Sequence, residues 1–341
     1  MSKYDQAVAA IRAPLPAEPD RRDFVRFATL APNSHNTQPW TFRLEENAVE
    51  IRPDFSRRCP VVDPDDHHIY VTLGCAAENL AIAANASGRP ADVTVENNGP
   101  LGFGVRVSLG HGVRSDETLC AAIPKRQSTK SEYDGMPLSA SESEALRSAT
   151  AGVPGSDVVF ILDRQKLEEA LQFILKGNSA QIDDRAFVSE LRDWIRFNPA
   201  SALNRGDGLL GMCSGSPSVP EWLGPIIFGL AFKKDAENKK LARQLRSSAG
   251  VAVFVAEQES PEGWIAVGRS FERFALQGTT LGIRHSHVNM PIEVPAVRPA
   301  FADWLGIPGR RPDLVIRFGK AAPMPMSIRR PLDYVIEASG S

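Results

Sequence analysis

Ten residues near the N-terminus, Ala31-Pro32-Asn33-Ser34-His35-Asn36-Thr37-Gln38-Pro39-Trp40, hold the densest chemistry in the chain. Pro32 and Pro39 bracket six polar residues that offer amide, hydroxyl and imidazole groups and, with His35 neutral, carry no formal charge. Such a run suits a planar ligand rich in heteroatoms. An ordinary surface turn accounts for Asn33 and Ser34 but not for an uncharged run ending in Gln-Pro-Trp. A second cluster is Lys125-Arg126-Gln127-Ser128-Thr129-Lys130. In an extended segment Arg126, Ser128 and Lys130 face the same way, as a terminal phosphate on a polar chain requires. Taken alone, a solvated basic turn explains that cluster better. A third, Ser327-Ile328-Arg329-Arg330-Pro331, adds two guanidinium groups, and spacing does not choose between Arg329 and Arg330.

The elements that position these residues follow from an internal repeat. Gly74-Cys-Ala-Ala-Glu78-Asn-Leu-Ala81, closing with Gly88, has a counterpart in Gly268-Arg-Ser-Phe-Glu272-Arg-Phe-Ala275, closing with Gly282. Both stretches have helical spacing, and the closing glycines suit helix C-caps. A fainter echo pairs Val25 to Thr29 with Leu146 to Thr150, each ahead of a short apolar strand, near Trp40 to Leu44 and near Val158 to Leu162. The offset is 121 residues at the faint echo and 194 at the strong one, so the second copy carries an insertion of about 73 residues, between roughly 163 and 250. Within it, Lys166 to Lys176 and Asp183 to Phe197 have helical patterns, with Ala236 to Ser247 a further helix. Asn204 to Ile227, rich in Gly, Pro and Ser with apolar anchors such as Trp222 and Ile226, predicts a long ordered loop of the kind that serves as a lid. Val251 to Ala256 and Leu314 to Phe318 read as buried strands.

Composition narrows the function classes. The 341 residues are 43% hydrophobic, which makes the chain globular and long enough for two domains or one fused unit. Net charge is −2, without a dense Lys/Arg run, so neither nucleic acid nor a membrane is expected as a partner. Four widely spaced cysteines, Cys59, Cys75, Cys120 and Cys213, fit a reduced, cytoplasmic setting. Arg21-Arg22 looks like an export signal but lacks the apolar region that must follow. Asp63 to His68 reads as a helix-capping turn, and no metal site is expected from it or from His285-Ser286-His287. GxGxxG, Walker A, HExxH and GxSxG patterns are absent.

With these residues in view, the chain resembles the nitroreductase family of FMN-dependent oxidoreductases, whose flavin loop reads Pro-x-Ser-x-Asn-x-Gln-Pro-Trp. Its Arg-x-Ser-x-Arg/Lys segment is similar to Arg126, Ser128 and Lys130, and Met290-Pro291-Ile292-Glu293-Val294 resembles the family's Pro-Ile-Glu-Gly, with valine for glycine. Here the loop precedes the basic segment, and Val153 to Asp157 stands where a second loop would be. That layout is similar to the Acg-like branch, single chains built as pseudo-dimers with one FMN. The resemblance implies an α+β nitroreductase-like fold of two fused half-modules with a lid insertion: residues 1–120, then 121–341. It implies FMN held by Pro32, Asn33, Ser34, His35, Asn36, Gln38, Arg126, Ser128, Lys130 and Arg329 or Arg330. Lys130 would stabilise reduced flavin, with no side-chain nucleophile. The implied activity passes electrons from NAD(P)H to a nitroaromatic, quinone or similar small acceptor. The alternative is FMN sequestration under a lid that blocks nicotinamide. A monomer would suffice as the active unit, with a homodimer also open.

Overall fold

The computed structural model describes residues 1–338. Helices α1 (Lys3–Ile11) and α2 (Arg21–Ala28) each begin with a capping box, Ser2 with Asp5 and Asp20 with Asp23, so the Arg21-Arg22 pair is the first turn of a helix. The polar loop follows, then β1 (Trp40–Leu44), β2 (Ala48–Pro53), helix α3 (His67–Ala86), β3 (Ala91–Asn97) and β4 (Phe103–Leu109). These strands form an antiparallel sheet in the order β1-β2-β4-β3. Helix α4 (Glu117–Ala122), the basic segment and α5 (Ala140–Ala151) lead to β5 (Ser156–Ile161).

A long excursion separates β5 from its sheet partner. It contains α6 (Arg164–Asp183), α7 (Arg185–Asp193), β6 (Ile195–Arg196), α8 (Pro199–Arg205), β7 (Leu209–Leu210), α9 (Gly224–Ala231) and α10 (Lys234–Arg246). The chain then forms β8 (Gly250–Ala256), α11 (Pro261–Thr280), β9 (Ile283–His287), α12 (Met290–Glu293), α13 (Arg298–Trp304) and β10 (Pro312–Lys320). The second sheet runs β5-β8-β10-β9, again antiparallel. Role for role, β1, β2, α3, β3 and β4 match β5, β8, α11, β9 and β10. The molecule is an α+β pseudo-dimer of two fused half-modules, with the insertion opening a hairpin of the second.

Strand β8 shows why the excursion matters to packing. Ala252, Phe254 and Ala256 face the central core with Phe271 and Phe274, while Val251, Val253 and Val255 face a second core with Leu167, Leu171 and Phe301. Helices α6 and α13 cover the outer face, so the strand is apolar on both sides. The outer β3 lacks such cover and alternates half-buried and exposed positions.

Helices α3 and α11 cross at the centre, and the crossing is reciprocal. A Cβ on Gly74 would lie 2.1 Å from the Ile265 carbonyl oxygen, and one on Gly268 would lie 2.0 Å from that of Val71. Val71 and Ile265 are themselves counterparts in the repeat, as an isologous contact demands. Each helix is followed by a glycine with left-handed backbone, Gly88 (φ 75°) and Gly282 (φ 73°).

The stretch 204–227 is not the continuous loop its composition predicts. Gly206, with positive φ, ends α8, residues 209–210 pair in parallel with β6, and α9 starts at Gly224. Pro225 falls in the first turn of α9, where a missing N–H costs little, so a residue read as a breaker there opens a helix.

Gly74→Ala and Gly268→Ala should each lower stability by roughly 2 kcal/mol, from forced separation of two backbones. Gly229→Ala, where no atom lies within 4 Å of the added Cβ, should leave stability unchanged or slightly raised. Urea midpoints of the three variants check this, and equal midpoints would rule out the close crossing.

Candidate functional site

The polar loop runs from the end of α2 into β1 and is conformationally strained. His35 (φ 50°), Asn36 (φ 55°) and Gln38 (φ 56°) all adopt left-handed backbone, which non-glycine residues hold only when surroundings impose it. The surroundings are explicit. Asn36 Nδ2 donates to the Gly208 and Ile328 carbonyls at 3.1 and 3.2 Å, and its Oδ1 accepts from Arg329 Nη1 at 3.0 Å. Gln38 Nε2 donates to the Gly206 carbonyl at 2.8 Å, and its Oε1 accepts from Arg330 N at 2.8 Å. Asn33 Oδ1 accepts from Gln38 N at 2.8 Å. The three amides therefore brace the loop, and Pro32 is buried beside them. Ser34 and His35 stay partly exposed, and the Ser34 hydroxyl has no partner among the described residues.

Beneath the loop, three guanidinium groups converge. Arg126 and Arg329 both donate through Nη2 to the Leu30 carbonyl, and Arg329 reaches the Thr29 and Ala31 carbonyls as well. Arg12, just past α1, donates to the Pro124 carbonyl at 2.8 Å and to that of Arg126 at 3.4 Å. Burial, then the charge of Arg126, lowers Arg12 to about 10; burial, then Arg12 and Arg126, pulls Arg329 well below its ordinary value. One carboxylate answers these charges: fully buried Glu272 of α11, its Oε1 3.2 Å from Arg126 Nε. Arg126 Nε meets only Glu272, and Nε of Arg12 is without a partner among the described residues. Buried positive charge in excess with unused donors fits an anion such as a phosphate monoester.

Arg330 points elsewhere, with Nη1 3.9 Å from Asp54 and Nη2 donating to the Tyr334 carbonyl. Of the adjacent pair, Arg329 is the one that stands with Arg126. Ser128 and Lys130 flank Thr129, whose N–H donates to the His285 carbonyl at 2.8 Å, so this segment runs extended beside β9. Lys130 makes no ion pair among the described residues, and burial lowers its ammonium pKa.

Protein surrounds Lys130, His35, His287 and Glu293, yet each keeps accessible surface, the signature of side chains that line a recess. Burial lowers His35 to about 4 and His287 to about 3 and raises Glu293, so these imidazoles are neutral at pH 7. The segment from Gly206 to Gly215 packs on the loop, with Gly208 N donating to the Asn36 carbonyl at 3.2 Å. Asp207, paired to Arg57 and Arg196, anchors it there.

The turn before α3 caps the helix as the sequence predicts, with the Asp63 carboxylate accepting from His68 N at 3.1 and 3.0 Å. It also brings Asp63, His67 and His68 ligand atoms within 4.8 Å of one another. His67 Nε2 is engaged by Asp313 at 2.9 Å, and Arg58 and Arg311 sit close by on Asp66 and Asp65, charges that oppose a cation. Sequence reasoning missed Arg12, whose spacing gives no signal because it joins the site from a separate helix. It also missed Glu272 as a charge partner, although the repeat itself singles that residue out.

The two half-modules make the chain an internal pseudo-dimer, and its sequence is similar to proteins named as nitroreductases. Two Mycobacterium tuberculosis proteins that carry the name "Putative NAD(P)H nitroreductase" are similar along nearly the whole chain. Rv3131 is 26% identical over 352 residues, 96% of this chain and 94% of its own. Acg is 23% identical over 325 residues, 91% of this chain and 93% of its own. The FMN-dependent nitroreductase NfnB from Mycobacterium smegmatis, solved with NADPH, aligns with TM-score 0.41 and 13% identity over 66% of this chain and 99% of its own. No family model matches the chain. No helix among the described residues is long and apolar enough to cross a membrane.

Burial moves the Glu272 carboxyl from its ordinary 4.5 up to about 7, against the pull of Arg126. The folded state thus retains a proton that the unfolded chain releases near 4.5. The stability this contributes is present below pH 4.5 and is lost as pH rises through 7. Glu272→Gln should therefore gain stability relative to the parent between pH 4.5 and pH 7.5, on the order of 3 kcal/mol. Urea unfolding of both proteins at the two pH values checks this, and a constant difference would contradict it.

Proposed function

We propose that the protein is an FMN-binding oxidoreductase of nitroreductase type, carrying electrons from NAD(P)H to a small acceptor such as a nitroaromatic or a quinone. The observation that supports it best is the buried convergence of Arg12, Arg126 and Arg329 under a strained polar loop. A phosphate bearing close to two negative charges would balance the excess over Glu272. Motif and charge thus agree on one cofactor. When bound, FMN would supply the hydride and electron chemistry, so no side-chain nucleophile is required.

In this reading Arg12, Arg126, Arg329 and Ser128 bind the phosphate end. Ser34 and His35 offer the loop's surface to the ring, with Pro32 buried behind them, while Asn33, Asn36 and Gln38 hold the loop in place. Lys130 would oppose the negative charge of the reduced ring. The module boundaries, 1–120 and 121–341 with a lid at about 163–250, belong to the same proposal. The names of the mycobacterial relatives point to NAD(P)H as reductant.

A second reading is FMN sequestration, and the cover formed by Gly206 to Gly215 favours it. Met212 and Cys213 of that segment pack against Tyr4, Leu210 and Ile328, next to Arg329. Anaerobic stopped-flow mixing with NADH and NADPH separates the two. Rapid bleaching of bound flavin is the expected outcome for the reductase, and absence of bleaching would sink it in favour of sequestration.

Arg12→Ala, Arg126→Ala and Arg329→Ala should each weaken FMN binding by about 1.5 to 3 kcal/mol, roughly 10- to 150-fold. Arg330→Ala should leave it nearly unchanged. Flavin-fluorescence titration reads both, and an equal loss in Arg330→Ala would contradict the site geometry.

A further inference from the structure

Arg317 of β10 is a fully buried guanidinium outside the cation cluster under the loop. It makes no ion pair among the described residues, and Glu132, on the neighbouring segment, is exposed and pairs with Arg243 at 3.1 Å. Its hydrogen bonds go to main-chain carbonyls. Nη1 donates to that of Gln244 at 3.1 Å, and Nη2 to those of Thr129 and Ser131 at 3.2 and 2.8 Å. The guanidinium also lies over the Tyr133 ring, 4.1 Å from its centroid, and the Tyr133 hydroxyl donates to the Thr129 carbonyl at 3.0 Å. A charge taken out of water without a carboxylate partner is destabilising, so packing alone does not account for an arginine here.

Lys130 is what these contacts have in common. Arg317 holds the carbonyl before it and the carbonyl after it, and Gln244 of α10 donates through Nε2 to the Lys130 carbonyl itself. The two holders are joined in turn, because the Gln244 carbonyl is the third acceptor of the guanidinium. Residues 129–131 lie in no helix or strand, so these bonds, with that of the Thr129 N–H to β9, fix where the Lys130 side chain starts.

We propose that Arg317 is the positioning residue for Lys130, holding its ammonium at the recess where it opposes the negative charge of the reduced flavin ring. The inference rests on the flavin reading above and concerns how the lysine of that reading is held. Stabilisation of a developing charge depends on a donor fixed in place beforehand, which an unanchored segment does not provide. Arg317 acts through its hydrogen bonds and not through its charge. Burial and then Lys240 lower the Lys130 pKa, and Arg317 contributes in the same direction, so its charge works against the ammonium. A lysine at position 317 would keep that charge but lose the planar fork that reaches several carbonyls.

The test measures, on the full chain loaded with FMN, the ratio of affinities for reduced and oxidised flavin, read as the midpoint potential of the bound flavin in an anaerobic titration. Lys130→Met should lower that ratio about tenfold, about 30 mV for a two-electron couple. Arg317→Met and Arg317→Lys should each reproduce most of the shift, with oxidised FMN bound nearly as tightly as in the parent. In the Lys130→Met background, Arg317→Met should add nothing. If Arg317→Met does not fold, Arg317→Lys decides alone. A merely structural role would weaken both redox forms alike, and an unchanged ratio in a folded Arg317 variant, while Lys130→Met shifts it, would overturn the inference and leave the flavin reading standing. A full Arg317→Met shift in the Lys130→Met background would also overturn it and assign a direct electrostatic effect to Arg317. A parent that binds no FMN, or a Lys130→Met variant with the parent's ratio, would overturn the reading on which the inference rests, and the inference with it.

Discussion

The contact on which everything else depends is the crossing of α3 and α11 at Gly74 and Gly268. Because neither position has a side chain, each backbone approaches the other to a distance that any Cβ would prevent. The approach fixes the relation between the half-modules, and the site inherits that relation. The polar loop comes from the first module, and the basic segment lies along β9 of the second. The C-terminal chain then returns to the first sheet, where Phe42 N donates to the Val335 carbonyl at 2.7 Å and Glu337 N to that of Phe42 at 2.8 Å. Arg329 is carried on this returning segment. A shift at the helix crossing would therefore move loop and cation cluster relative to each other.

The same crossing explains why two similar halves build one site. Glu78 and Glu272 are counterparts, both buried, one on each central helix. Arg269 Nε and Arg273 Nε, from the facing helix, lie 2.8 and 2.6 Å from Glu78 and compensate it completely. Asn79 occupies the place equivalent to Arg273, so Glu272 has an amide there and depends on Arg126 for a charge partner. One carboxylate is closed inside an internal ion-pair network. The other faces a cluster with positive charge left over, and only that side retains the polar loop.

Much of this was legible in the sequence because it is local or periodic. The repeat located both central helices and their closing glycines, since the 194-residue offset carries over to the contacts themselves. The loop was legible as an unusual uncharged run between prolines. What could not be read is the division of labour inside it. Asn36 and Gln38 look like ligand-binding amides in one dimension, yet their partners at residues 206–208 and 328–330 are far away in sequence and engage them in bracing. Arg12 was invisible for the same reason, because only tertiary packing brings α1 to the basic segment. Helix α9 was misread because its glycines and Pro225 signal a loop by composition, while their positions within the helix make them harmless.

The insertion has two structural duties that bear on how it can move. Its helix α6 covers the outer face of β8 through Leu167, Leu171 and Ile174, which ties it to the second core. Its segment Gly206-Asp207-Gly208 holds the strained loop, with Asp207 clamped by Arg57 and Arg196. A flap that swung freely would release Asn36 and Gln38 from their carbonyl partners and let the left-handed residues relax. Side-chain burial falls away beyond these anchors, from about Gly215 through α9. Two kinds of support are thereby combined within one insertion: residues 206–208 maintain the loop, and α6 completes the second core.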